Sequence, residues 1–240
     1  LRPLVLVHGF MGGSDQWALQ APLGERRRLI CPDLPGFGRN ARAVPLKTIG
    51  DFADWVIAEL SHLGIDRFDL IGHSMGGMVV QEMVRRIPDR VARLILYGTG
   101  PTGMLPGRFE TIETSIQRAR TDGPKSTARR IAATWFLAGE TAREFPACAA
   151  IAEASTLPAI IAGLEAMQGW SGRDHLPHIK APTLVLWGDG DRTYPWSQVE
   201  ELWQTIADSR LAVIPDCAHA VHLERPEIFN LQIDSFLSGG

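Results

Sequence analysis

Short apolar runs alternate along this chain with longer stretches in which apolar residues recur every three or four positions. The runs are Leu4–Val7, Arg28–Cys31, Asp69–Ile71, Leu94–Tyr97, Thr183–Trp187 and Leu211–Ile214. They are apolar along their length instead of alternating, as parallel strands covered on both faces must be. Helical spacing relates Phe52, Val56, Leu60 and Leu63, and again Met78, Val79, Met83, Val84 and Ile87, after which Pro88 stops the helix. Pro226 suits a first helical turn, and Phe229, Ile233, Phe236 and Leu237 then share one face. The alternation predicts an α/β fold, a doubly wound and mainly parallel sheet of about six strands.

One stretch breaks the rhythm. Residues 101–180 hold no convincing strand, and helical patterns run through Phe109–Ala119, Thr127–Leu137, Ala142–Ala154 and Ala159–Met167. Residues 1–100 and 181–240 are therefore expected to form the core, with 101–180 inserted as a helical lid over the strand ends. A small packing subdomain without a role is the plainer alternative. Apolar residues such as Met104, Phe109, Trp135, Leu137, Ile160 and Leu164 are expected on the underside of the lid. Its arginines (Arg108, Arg118, Arg120, Arg129, Arg130 and Arg143) are expected in solvent, with one able to clamp a substrate carboxylate instead.

Composition narrows the class. With 45% hydrophobic and 21% charged residues among 240, the chain has ordinary globular make-up and is long enough to bury a large core without staples. A net charge of −3 and a pI near 6.2 argue against nucleic acid or an anionic membrane as partner. No apolar run approaches the ~20 residues that span a bilayer. The opening Leu1–Val7 is too short for a signal peptide, and without an initiator Met ahead of it, residues removed or omitted upstream are expected. Cys31, Cys148 and Cys217 are odd in number and lack metal-ligand spacing, which fits free thiols in a reducing, cytoplasmic setting. His175 and His178 flank Pro177, which favours a loop over a metal site. A small-molecule substrate is the expected partner, with no metal or organic cofactor, and a monomer or homodimer the expected state.

Four motifs carry candidate chemistry. Gly72-His73-Ser74-Met75-Gly76 is a G-x-S-x-G between a strand and a helix. That context puts the serine on a sharp turn with its hydroxyl clear of the sheet, and the flanking glycines let strand and helix approach closely. His8-Gly9-Phe10-Met11-Gly12-Gly13 follows the first strand, where exposed backbone N–H groups can stabilise an oxyanion. The donors expected are the amides of Phe10 and of Met75, the residue after the nucleophile. It lacks the spacing and the Gly-Lys-Ser/Thr ending of a phosphate loop. Gly188-Asp189-Gly190-Asp191 ends another strand, where either aspartate could orient a histidine or merely form a turn. Past the last strand, His219 and His222 are both candidates for a general base.

Together these motifs resemble the α/β-hydrolase superfamily, in particular small bacterial enol-lactonases, aryl esterases and cofactor-free haloperoxidases. The matches run from His8-Gly9 through Pro32-Asp33-Leu34-Pro35-Gly36-Phe37-Gly38, the serine motif, Gly188-x-x-Asp191 and His219 to Glu224-x-Pro226. The resemblance implies Ser74, Asp191 and His219 as catalytic triad, since the acid closes G-x-x-D and the histidine stands several residues before the acid-x-Pro helix start. It implies a serine hydrolase of small carboxylic esters or lactones working through an acyl-enzyme. Two departures stand out: the antiparallel hairpin that usually precedes the His-Gly strand is not in the sequence, and Ala218 occupies a usual glycine position. Carbon–carbon bond hydrolases of aromatic ring-cleavage products share the fold and triad but typically carry Asn where this chain has His73. Low-turnover ligand receptors on the same fold are a further alternative.

Overall fold

The computed structural model describes residues 1–239. Among them, six strands form one sheet: β1 Leu4–Val7, β2 Leu29–Ile30, β3 Phe68–His73, β4 Val91–Tyr97, β5 Thr183–Gly188 and β6 Ser209–Ile214. Their spatial order is β2-β1-β3-β4-β5-β6, and every neighbouring pair is parallel. β1 lies inside the sheet, with β2 on one side of it and β3 on the other. That reversal creates a crevice at the carboxyl ends of β1 and β3, where open α/β sheets bind ligands.

Both faces of the sheet are covered, which is why the strands read as unbroken apolar runs. Val5, Val7, Leu70, Leu94 and Val185 point into one core with Phe52 and Val56 of α1 (Ile49–His62) and Met78 and Val79 of α2 (Met75–Arg86). Leu4, Leu6, Ile71, Ile95 and Leu184 point into the other with Trp17 and with Phe229 and Ile233 of a C-terminal helix, Pro226–Ser238. The exception is β6. It is an edge strand, with Leu211 and Ala212 only half buried and Val213 exposed, so its apolar run belongs to a sheet margin and not to a strand covered on both faces.

The segment between β4 and β5 is helical. It contains α3 Ile112–Thr121, α4 Pro124–Ala133, α5 Phe145–Glu153 and α6 Leu157–Gln168. Their starts follow local rules. Thr111 and Thr156 accept from Thr114 and Ala159 N–H as caps, and Pro124, Pro146 and Pro158 occupy first turns. The two ends of the segment are joined: Thr102 and Ser171 form an antiparallel bridge, Gly103 N–H donates to Trp170 O (3.0 Å), and Gly172 N–H to Pro101 O (2.8 Å). Ile160 and Leu164 are buried as expected, but Met104, Phe109 and Leu137 are exposed. Phe109 is covered instead by the Arg108 guanidinium, 4.6 Å from the ring centroid. The arginines are not simply solvated either. Arg118 and Arg130 pair with Glu110, and Arg108 donates to the Glu110 carbonyl and to Ser115 Oγ.

Beyond the expected elements lie α7 Trp196–Thr205, α8 Val221–Glu224 ahead of the C-terminal helix (α9), and an irregular helical stretch, Ser14–Glu25, that contains Pro22. No single helix among the described residues is long and apolar enough to cross a membrane. α5 and α6 together reach the required composition but meet at 99°.

Candidate active site

Ser74 follows β3 and caps α2 with φ 57° and ψ −121°, a backbone region that L-residues seldom occupy and that costs of order 1–3 kcal/mol. Neighbours hold it there: Ser74 N–H donates to Tyr97 O (3.0 Å), while Ser74 O accepts from Gly77 N–H and Thr99 Oγ (both 2.8 Å). The close approach of elements explains the glycines. A Cβ on Gly76 would strike the carbonyl oxygens of Val7 and His8, and one on Gly9 would lie 2.9 Å from Ser74 Cβ. The His8–Gly13 loop is thereby pressed onto the serine turn. Met11 in that loop also takes a positive φ, 55°. The amides of Phe10 and Met75 donate to no acceptor among the described residues, leaving two N–H groups free beside Ser74.

Asp191 and His219 form a buried pair, Oδ2 to Nδ1 at 2.9 Å. The other carboxylate oxygen accepts from Thr193 N–H (2.7 Å) and Tyr194 N–H (3.2 Å), which fixes its direction. Asp189, two residues earlier, is exposed. His219 and Ser74 line one narrow cleft with Gly9, Phe10, Gln16, His73, Trp135, Cys148, Ala220 and His222. Its free volume of about 10 Å³ is that of one water. The hydrogen bonds among the described residues include none between Ser74 Oγ and His219, a contact that in resting sites is often loose and tightens with substrate. Roomier cavities open elsewhere, about 360 Å³ beside Gly103–Thr111 and about 250 Å³ beside β2, but neither joins a nucleophile to a histidine.

The backbone carbonyl of His219 is held from two sides. Tyr97 Oη donates to it (2.9 Å), and His73 Nε2 lies 3.2 Å away and must be the protonated nitrogen. Because the Tyr97 proton is committed, His222 Nδ1 at 2.9 Å donates to Tyr97 Oη. The two remaining imidazole nitrogens are then acceptors, and both face the Gln16 amide nitrogen, at 3.4 and 3.5 Å. This network works only with both histidines neutral. Burial supplies that condition, pushing His222 down to about 3 and, with His219 and His222 close by, His73 well below its ordinary value. His8 is pushed down to about 4 by the same cause, its Nε2 accepting from Leu34 N–H. Both ring nitrogens of His222 are thus committed within the protein, one to Tyr97 and one to Gln16.

A family model described as the alpha/beta hydrolase fold matches residues 2–226. The chain belongs to the α/β-hydrolase family. It is 31% identical over 255 residues to a pimeloyl-[acyl-carrier protein] methyl ester esterase of Aromatoleum aromaticum, covering 99% of both proteins. It is 30% identical over 258 residues to a 2-hydroxy-6-oxo-2,4-heptadienoate hydrolase of Pseudomonas putida, covering 99% of this chain and 89% of that one. A dihydrolipoyllysine-residue acetyltransferase component of an acetoin cleaving system, also from Pseudomonas putida, is 31% identical, and the chain spans 63% of its length. Among solved structures, an enol-lactonase from Burkholderia xenovorans superposes with a TM-score of 0.87 at 27% identity, covering 99% of this chain and 91% of that one. A methyl ester esterase, a 2-hydroxy-6-oxo-2,4-heptadienoate hydrolase and an enol-lactonase are thus similar to this chain.

Within this α/β-hydrolase, the expected site residues converge: Ser74, His219, Phe10 and the Asp191 partner of His219 meet at the β1–β3 crevice, with Met75 adjoining. Sequence reasoning missed Gln16, Tyr97 and Tyr194. Gln16 lies in the irregular Ser14–Glu25 stretch, and Tyr97 and Tyr194 read as strand and loop aromatics. Nothing local marks their partners. His175 and His178 sit in an outer pocket with Arg85 and Lys180, and no group of three or more His, Cys, Asp or Glu among the described residues is arranged to hold a metal ion.

Proposed function

We propose that this hydrolase cleaves small carboxylic esters or lactones with Ser74 as nucleophile. His219 takes the Ser74 proton during attack on the carbonyl and returns it to the leaving group, while Asp191 holds the imidazole tautomer and balances its charge. The amides of Phe10 and Met75 receive the oxyanion. Water activated by His219 then releases the acid from the acyl-enzyme. The scheme calls for neither metal nor organic cofactor. The observation that carries it is the buried 2.9 Å Asp191–His219 pair opening onto the same cleft as a serine held at φ 57°.

Residues 101–180 act as a lid in this reading. Trp135 and Cys148 close the cleft from the insertion, and a free volume of one water obliges the helices to part before an ester can enter. The small cleft favours short acyl chains. Similarity to a methyl ester esterase and an enol-lactonase supports ester or lactone chemistry, and His73 stands where carbon–carbon hydrolases typically have Asn. Similarity to the heptadienoate hydrolase favours the second reading, a ring-cleavage-product hydrolase with the same three residues.

One comparison separates them. Purified protein is assayed with p-nitrophenyl butyrate, a long-chain p-nitrophenyl ester and a vinylogous diketone. A Ser74-dependent burst followed by turnover of the butyrate ester, with the long-chain ester slow, is the expected result. Faster turnover of the diketone than of any ester would transfer the assignment to carbon–carbon hydrolysis, and no turnover of either would leave a receptor.

A further inference from the structure

Tyr194 is wholly buried, yet its hydroxyl has no hydrogen-bond partner among the described residues. A phenol stripped of water and left unpaired destabilises the protein that carries it. Its position is tightly determined. The backbone N–H is held by Asp191 Oδ1 (3.2 Å), and the carbonyl accepts from the Trp187 indole N–H (3.0 Å). The ring stacks on the His219 imidazole, centroids 5.7 Å apart and planes 19° from parallel. The hydroxyl sits on the histidine side of the site, close to the Ser74 and Thr99 side chains but outside hydrogen-bond geometry to either. The residues that orient the base therefore also aim an idle donor at the nucleophile.

An idle donor beside Ser74 has three positions it could serve on a bound ester. The carbonyl oxygen already has the Phe10 and Met75 amides. The acyl carbons offer no acceptor. The departing oxygen remains, and it must come to the His219 side to collect its proton. We propose that Tyr194 is a further catalytic residue of this site, donating a hydrogen bond to the leaving-group oxygen as it departs, and thereby fitting the enzyme to unactivated alkyl esters and lactones. Burial raises the phenol well above its ordinary value, so it stays protonated and acts only as a hydrogen-bond donor. His219 supplies the proton that leaves with the alcohol, and Tyr194 keeps its own.

The inference rests on the serine-hydrolase reading, and its test separates the two. Wild-type protein and Ser74→Ala are compared first on p-nitrophenyl butyrate, where loss of Ser74-dependent turnover would sink the underlying mechanism and this proposal with it. Tyr194→Phe is then compared with wild type on p-nitrophenyl, ethyl and methyl butyrate. A p-nitrophenolate leaves without help, whereas an alkoxide does not. The substitution is expected to lower kcat/KM roughly tenfold on the alkyl esters and less than about threefold on the p-nitrophenyl ester. The dependence of rate on leaving-group basicity should steepen accordingly. The thermal midpoint should hold or rise, because an unpaired buried hydroxyl is removed. Equal losses on all three esters, or a midpoint lowered by several degrees, would overturn the proposal and make the hydroxyl a structural group.

Discussion

Asp189 and Asp191 stand two residues apart at the end of β5, and their surroundings give them different fates. Asp191 is buried, with one oxygen on His219 and the other on two backbone N–H groups, whereas Asp189 faces solvent. Asp191→Asn is expected to lower kcat by roughly 10³–10⁴-fold through the wrong imidazole tautomer, and Asp189→Asn to leave it within a few-fold. Crippling by Asp189→Asn would refute the assignment. Ser74→Ala and His219→Ala should each abolish turnover above background. His222 is a different case. Its imidazole supports Tyr97, which in turn supports the His219 carbonyl, and its other ring nitrogen faces Gln16. His222→Ala should retain a substantial share of turnover while costing roughly 2–3 kcal/mol, from a cavity and the hydrogen bonds that Gln16 and Tyr97 lose. Chemical denaturation alongside the rate measurement checks both halves. A stable variant with no activity would make His222 part of the chemistry.

At the scale of elements, α6 leans directly on the His8–Gly13 loop. A Cβ at Gly163 would lie 2.9 Å from the Phe10 ring and 3.1 Å from Phe37, so this helix can approach only with glycine there. Gly163→Ala gains up to about 1 kcal/mol of helix propensity and loses about 1–3 kcal/mol to overpacking. The ring most able to yield is Phe10, whose own amide is the expected oxyanion donor. Turnover of p-nitrophenyl butyrate should therefore fall about tenfold or more while the thermal midpoint moves by only a few degrees. Unchanged kcat would mean that the loop is insulated from α6. The helical segment is anchored by its neck as well as by α6. The Thr102–Ser171 bridge and its two flanking hydrogen bonds join both ends of the segment, so α3 to α6 are tethered to the core as a unit.

For the whole molecule, the buried neutral histidines tie stability to pH. His8 and His222 lie at about 4 and about 3 in the folded protein, His73 is likewise depressed, and all three titrate near 6.5 once unfolded. Below pH 6.5 the unfolded chain binds protons that the folded chain refuses. The stability these groups contribute is thus complete above about pH 6.5 and is lost as pH falls toward their folded values. Each should withdraw roughly 1.4 kcal/mol per pH unit across that window. Denaturant midpoints measured from pH 7.5 to 5 should fall steadily, and His222→Ala should flatten the slope. A flat wild-type profile would show that the histidines reach water or become protonated in place.

Contiguous residues determined a great deal by themselves. Unbroken apolar runs announced the parallel strands, because a strand covered on both faces has no polar side to display. Helical spacing and the lack of any convincing strand marked the insertion, and the glycines around Ser74 declared a close approach before any partner was known. Capping, periodicity and steric exclusion all act within a few residues, so the sequence carries them openly. The choice between Asp189 and Asp191 was reached only by resemblance, and tertiary structure gives its physical cause in burial. The partners of Gln16, His73, Tyr97 and His222 had no such local mark. Their hydrogen bonds join positions 206, 146 and 125 residues apart, and Tyr194 reaches His219 only by way of the Asp191 loop. Which polar side chains meet in the dry space behind the crevice depends on how two sheet faces, an irregular N-terminal stretch and the last loop close together. Each such group is costly alone and stable only when paired, and pairing across the fold is decided where the chain has already packed.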